Sequence, residues 1–271
     1  MNRGAVGGLV IACIIPVICY FIMKDIGEGA VNMPHRYFPD TVITAEKNGK
    51  IISDTQWHRV RNFTLTDQFG EPFVFDSIKG KIIVVNSFFT RCPNICPALT
   101  RNIRKLQKSY EEPKNKKYDD TSKVTFLSLS IDPERDSVNN LKKFADRFGV
   151  NSDNWSMLTG SKKEIYDLML HEFRLPTEDG GTADSNFIHS EKIILLDKYH
   201  VVRGYYNGLD SIALSKLADD IGKLTLEKDK NTPSFFRQYI AIIPILIIIP
   251  IIVLLGMFFL NRSRKGVPGS R

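Results

Sequence analysis

The stretch that most constrains this chain is Ile82–Phe88, Ile-Ile-Val-Val-Asn-Ser-Phe, together with the cysteine-bearing run just after it. Four branched apolar residues in succession, without polar alternation, predict a strand covered on both faces. Thr90-Arg91-Cys92-Pro93-Asn94-Ile95-Cys96-Pro97 comes directly afterwards. From Pro97 onward Leu99, Ile103, Leu106 and Tyr110 recur on one helical face, and proline suits a first helical turn because its missing N–H has no partner there anyway. Two thiols therefore lie where a buried strand hands over to a helix N-terminus. Free N–H groups and a partial positive charge at such an end favour thiolate over thiol. The pair suits either redox chemistry or a soft metal ion.

The rest of the pattern extends this junction into a fold. Residues 61–66 and 72–75 read as short strands around the turn Asp67-Gln68-Phe69-Gly70, and residues 124–131 as a second buried strand. Residues 137–148 read as a helix with Val138, Leu141, Ala145 and Phe148 aligned, and Ser161 can cap a short helix holding Ile165, Leu168 and Met169. Residues 175–186, rich in Pro, Gly, Thr, Asp and Ser, read as a mobile loop. Lys192–Leu196 and residues 201–205 read as an antiparallel hairpin, and residues 210–224 as a last helix. Strand, helix, strand, helix, hairpin, helix is the order of a thioredoxin-like α/β fold. Its first two long strands should run parallel, and function should gather at their carboxyl ends, after which Cys92 and Asp132 come.

Hydrophobicity is unevenly spread. Residues 5–23 and 239–260 carry no charge, and each run is long enough for a ~30 Å hydrocarbon layer. The first reads as an uncleaved anchor rather than a signal peptide, since Gly29-Ala30 is a weak cleavage site. The second reads as a membrane helix in which Pro244 and Pro250 are tolerated. The expected organisation is a tail at 1–4, a span at 5–23, a linker at 24–60 and a domain at 61–225. A linker at 226–238, a span at 239–260 and a basic tail at 261–271 complete it. Arg3, Arg262, Arg264, Lys265 and Arg271 place both tails in the cytoplasm by the positive-inside rule. The domain then faces outward from a bacterial inner (cell) membrane, toward a periplasm or its equivalent, where disulfides persist.

The net charge of +7 owes much to those tails. The remaining basic residues, such as Lys114, Lys116 and Lys117, are scattered without interleaved aromatics, which argues against nucleic acid as a partner. There is no repeat and no glycine-rich phosphate loop.

Pro93, Asn94 and Ile95 separate the cysteines, one residue more than in thioredoxins. The longer loop can still close a Cys92–Cys96 disulfide, and it also lets both sulfurs point at one external atom. Two thiolates leave a soft ion under-coordinated. His189, just before the strand Lys192–Leu196, is the best third ligand. Such a set suits Cu(I) through the thiolates and accommodates Cu(II) through the imidazole, whereas zinc would want a fourth ligand. Cys13 and Cys19 read as small apolar residues of the first span. His35, His58, His171 and His200 have no partner pattern.

Three pieces, in order, carry a family resemblance: Cys92-Pro93-Asn94-Ile95-Cys96-Pro97, Ser130-Ile131-Asp132-Pro133-Glu134-Arg135-Asp136-Ser137, and Ile188-His189-Ser190 with Leu196-Asp197. Over residues 60–225 the chain resembles the SCO/SenC family. That resemblance implies a membrane-anchored, thioredoxin-like copper protein that helps assemble the dinuclear copper centre of cytochrome c oxidase. It implies copper ligands at Cys92, Cys96 and His189, with Asp132 in a supporting role. The implied partners are cytochrome c oxidase subunit II or another copper acceptor, together with a thioredoxin-like reductant. Asn94 stands where the family often has an acidic residue, and the second span is an addition to its usual single anchor.

A thiol-disulfide oxidoreductase acting on the acceptor's cysteines is the alternative. Such enzymes usually carry a proline just before the strand facing the cysteines; here that approach is Asn186-Phe187-Ile188-His189, and the nearest preceding proline is Pro176. A peroxidase reading lacks the Thr-x-x-Cys arrangement, because Thr90 is only two residues before Cys92.

Overall fold

A five-stranded sheet organises the molecule, with β5 (Ile82–Phe88) at its centre. The computed structural model describes residues 19–20, 32–47, 50–111, 123–175 and 191–227. The chain divides into two units, Met1–Leu226 and Glu227–Arg271, and every named element lies in the first. β5 pairs in parallel with β6 (Val124–Ser130), which pairs in parallel with β7 (Trp155–Leu158). On its other side β5 meets β8 (Lys192–Leu196) antiparallel, and β8 meets β9 (Val202–Asn207) antiparallel. β3 (Thr64–Thr66) and β4 (Pro72–Val74) form a separate small ladder, which touches the main sheet through the bridge Thr66–Thr159. The helices are α1 (Ile95–Lys108), α2 (Val138–Phe148), α3 (Lys162–Asp167) and α4 (Ser211–Leu226); a π turn, Leu168–Glu172, extends α3.

All seven residues of β5 and of β6 are buried, which follows from covering the sheet on both faces. Because strand side chains alternate, Ile82, Val84, Phe88 and Phe126 join one core with Leu99 and Ile103 of α1, Leu141 and Phe144 of α2, and Leu217 and Ile221 of α4. Ile83, Val85, Leu127 and Leu129 join the other with Phe63, Phe75, Ile165, Leu168 and Phe173. Cys92 and Cys96 belong to the first core. Two polar side chains inside the sheet pair with each other: Ser128 Oγ donates to Asn86 Oδ1 at 2.7 Å and accepts from Trp155 Nε1 at 2.9 Å, whereas the buried Thr125 Oγ1 has no hydrogen-bond partner among the described residues.

Two elements depart from the sequence expectation. The 24–60 linker contains a hairpin, β1 (Pro39–Lys47) with β2 (Lys50–Trp57), in which Lys47 faces Lys50. Its polar composition hides it, although β-branched residues recur through it and Asn48-Gly49 is a strong two-residue hairpin signal. The segment leading to it is tied to the sheet. The Tyr37 N–H donates to the Val202 carbonyl at 3.0 Å, and Arg203 donates from two nitrogens to the Pro34 carbonyl. The other departure is β7, whose four residues are too few to show a period.

Among the described residues no helix is long and apolar enough to cross a membrane. The span expected at 239–260, and all but residues 19–20 of that at 5–23, lie outside the described residues.

Candidate functional site

Parallel pairing brings the two expected loops together. Phe88 ends β5 opposite Ser130 at the end of β6, and the Ile131 N–H donates to the Phe88 carbonyl at 2.9 Å. Beyond that edge the chain turns once, with the Cys92 N–H donating to the Phe89 carbonyl at 3.3 Å, and enters α1 at Ile95. The helix thus begins two residues earlier than Pro97, and Cys96 sits in its first turn while Cys92 precedes it.

Both thiols are free and both residues are buried, at 8% exposure for Cys92 and 6% for Cys96. The Cys96 N–H donates to Cys92 Sγ at 3.3 Å. Burial is the largest single influence on Cys92 and opposes its ionisation. The N–H groups of Cys96, Asn94 and Ile95 and the Cys96 thiol together outweigh it and hold Cys92 below the usual thiol range. Burial also dominates Cys96, where the Phe89 N–H offsets it only in part and the charges of Cys92 and Asp136 add to it. That thiol is pushed up to about 12. The same turn thus favours the thiolate at Cys92, where N–H groups outweigh burial, and the thiol at Cys96, where burial and neighbouring charge prevail.

Asp132 lies where its position after β6 predicts, with its carboxylate nearly buried. Its partners are arginines, not sulfurs: Arg91 Nη2 at 2.9 Å and Arg135 Nη1 at 3.7 Å. Arg91 belongs to the cysteine turn, so this pair links the loop after β5 to the loop after β6. The Asp132 carbonyl also accepts the N–H groups of Arg135 and Asp136, which closes the turn before α2. Ser137 then caps α2 by accepting from the Asn140 N–H.

Sequence reasoning passed over Asp136. Its side chain is fully buried and accepts from Thr90 Oγ1 at 2.5 Å, from the Thr90 N–H at 3.1 Å and from Ser130 Oγ at 2.6 Å. Only the expectation that an acid four residues after Asp132 returns to the same turn could have found it.

His189 and the 176–190 stretch lie outside the described residues. β8 begins three residues after His189, at the edge where β5 ends, since Ile193 pairs with Asn86. Among the described residues no group of three or more His, Cys, Asp or Glu side chains could hold a metal. The donors that are described, two neighbouring sulfurs with one biased toward thiolate, fit a soft ion such as Cu(I) and fit reversible disulfide formation equally well. His58 is engaged elsewhere, with Glu172 and Asp40, and His200 is buried against Phe75.

Residues 53–225 match the SCO1/SenC family. The SCO1 protein homolog of Bacillus subtilis (strain 168) is 30% identical over 174 residues, 64% of this chain and 86% of the homolog. A solved SCO1/SenC family lipoprotein from Bacillus anthracis str. Ames is 32% identical with a TM-score of 0.52, covering 62% of this chain and 95% of that one. BsSco is a member of the Sco family of cytochrome c oxidase assembly proteins in which a disulfide switch has been identified. It is 31% identical with a TM-score of 0.51, covering 64% of this chain and 96% of its own. The matched stretch contains the five-stranded sheet and both cysteines of its strand-to-helix turn, and the chain belongs to the SCO1/SenC family.

Proposed function

We propose that this chain is a membrane-anchored copper carrier that delivers copper to the dinuclear copper site of cytochrome c oxidase during its assembly. The observation that carries this reading is the pair of adjacent, buried and unequal thiols in a SCO1/SenC chain. Cys92 and Cys96 hold the cargo ion as thiolates and His189 completes the set. Soft sulfur ligands suit Cu(I), and the imidazole extends the site to Cu(II). Burial disfavours ionisation of the Cys96 thiol, so loading of the ion as a dithiolate releases a proton from it. Delivery is ligand exchange: an acceptor thiolate replaces one cysteine, then the other, and no covalent bond to carbon is made or broken. The apolar runs at 5–23 and 239–260 tether the domain to a bacterial inner membrane, on its outer side, with both tails in the cytoplasm. The acceptor is oxidase subunit II or another thiol-bearing copper protein.

The acidity split favours a second, compatible activity. The Cys92 thiolate can attack an acceptor disulfide, forming a mixed disulfide and expelling one acceptor thiolate. Cys96 then loses its proton and attacks Cys92 Sγ, releasing the second. Two electrons pass to the acceptor while Cys92 and Cys96 are oxidised to a disulfide. The acceptor is thereby left reduced and ready for copper.

A strain lacking this chain provides the test. Its oxidase activity should fall and should return with the intact gene or with excess copper, but not with Cys92→Ala. Undiminished oxidase activity without the chain would sink the delivery reading. Rescue by an added thiol reductant, and not by copper, would move the assignment to the reductase activity.

A further inference from the structure

Two successive peptide planes at the end of β5 are each pinned on both sides. The first carries the Phe88 carbonyl, which accepts the Ile131 N–H, and the Phe89 N–H, which hydrogen-bonds the Cys96 sulfur. The second carries the Phe89 carbonyl, which accepts the Cys92 N–H, and the Thr90 N–H, which donates to Asp136. A peptide unit is planar and rigid, so holding one of its ends aims the other. In each plane one end is held by the turn after β6 and the other faces a cysteine.

Asp136 is a costly way to make such a hold. A carboxylate is rarely fully buried, and an unpaired one is expensive. Among the described residues no cation pairs with Asp136; its oxygens are occupied by Thr90 and Ser130 donors alone. Ser130 Oγ in turn accepts the Asp132 N–H at 3.2 Å, so the carboxylate also ties the turn that carries the Asp132–Arg91 pair. Nothing in core packing calls for an anion here, whereas a two-armed acceptor for an amide and two hydroxyls does.

We propose that Asp136 is a positioning residue for the cysteine pair: it holds the Phe89–Thr90 peptide plane in the orientation that anchors the Cys92 amide and keeps the reduced pair in place. It touches no sulfur; apart from the charge it places near Cys96, it acts through Thr90 and Phe89. The inference rests on reading Cys92 and Cys96 as the working pair, but it does not depend on copper.

The test uses the full-length chain, metal-free, equilibrated with mixtures of glutathione and glutathione disulfide. Each Cys92–Cys96 disulfide formed reduces one glutathione disulfide to two glutathione molecules, and the readout is the equilibrium constant of the folded protein. Asp136→Ala should shift it about tenfold toward the protein disulfide, ~30 mV for a two-electron couple. Asp136→Asn, which keeps one acceptor oxygen for the Thr90 amide, should return it to within roughly threefold of wild type. Thr90→Val loosens the hold without removing the carboxylate and should shift it about threefold, so the test survives if Asp136→Ala does not fold. A wild-type constant in either folded variant, Asp136→Ala or Thr90→Val, even with a lowered Tm, would show a merely structural residue and overturn the proposal. Failure to bind copper would leave this constant untouched, so the two readings fail separately.

Discussion

Selective alkylation of Cys92 is the sharpest consequence of the turn geometry. The two cysteines are nearly equally covered, at 8% and 6% exposure, so access does not separate them. Acidity does: Cys92 lies below the ordinary thiol value of 9.0, while burial and neighbouring charge push Cys96 up to about 12. Near neutral pH the thiolate fraction at Cys92 therefore exceeds that at Cys96 by roughly 1,000-fold or more. A more basic thiolate is intrinsically a better nucleophile, and a Brønsted slope of about 0.4–0.5 returns roughly 1.2–1.5 of those three decades to Cys96. The net expectation is alkylation of Cys92 faster by about 30-fold or more. The assay is a timed pulse of iodoacetamide on reduced, metal-free protein, quenched and followed by peptide mass mapping of both cysteines. Equal rates at the two positions, or faster labelling at Cys96, would refute the argument that N–H groups at Cys92 and burial with neighbouring charge at Cys96 sort the thiols.

Two further outcomes test the frame around the site. Arg203→Met should destabilise the domain by about 3–5 kcal/mol in urea unfolding, because it strands a buried Asp197 whose partner nitrogen lies at 2.8 Å; a loss under about 1 kcal/mol would contradict this. His200 is held neutral chiefly by burial. Lys79 and Arg59 reinforce that, and Asp76 and Asp197 oppose it, so its folded-state pKa is depressed. Its contribution to stability is complete above the unfolded value of about 6.5 and is lost as pH falls from there through the folded value. His200→Asn, which tolerates the left-handed backbone at φ 64°, should flatten the acid limb of stability between about pH 7 and 5; an unchanged limb would refute this origin.

The residues that announced the fold are those whose burial has a period or a run. Ile82–Phe88 and Lys192–Leu196 stand at the bounds their apolar runs predict, Ser161 caps the short helix expected after it, and the helix expected over 137–148 runs Val138–Phe148 with Ser137 as its cap. The β1–β2 hairpin was not legible because polar residues dominate its strands, and β7 was not because four residues carry no period. At the site, Cys92, Cys96 and Asp132 could be placed from sequence because each follows a parallel strand end. The acidity order of the thiols could not, since it depends on which N–H groups reach which sulfur. Asp136 was hidden for a similar reason: an acid in a polar turn reads as solvated until the turn folds back over Thr90.

Anaerobic copper analysis of the full-length chain tests the central claim most directly. After equilibration with Cu(I) and removal of weakly held metal, the account predicts about one copper per chain, lost in Cys92→Ala and in Cys96→Ala and weakened in His189→Ala. Copper-free wild-type protein, or a Cys92→Ala variant that keeps the full complement, would contradict it.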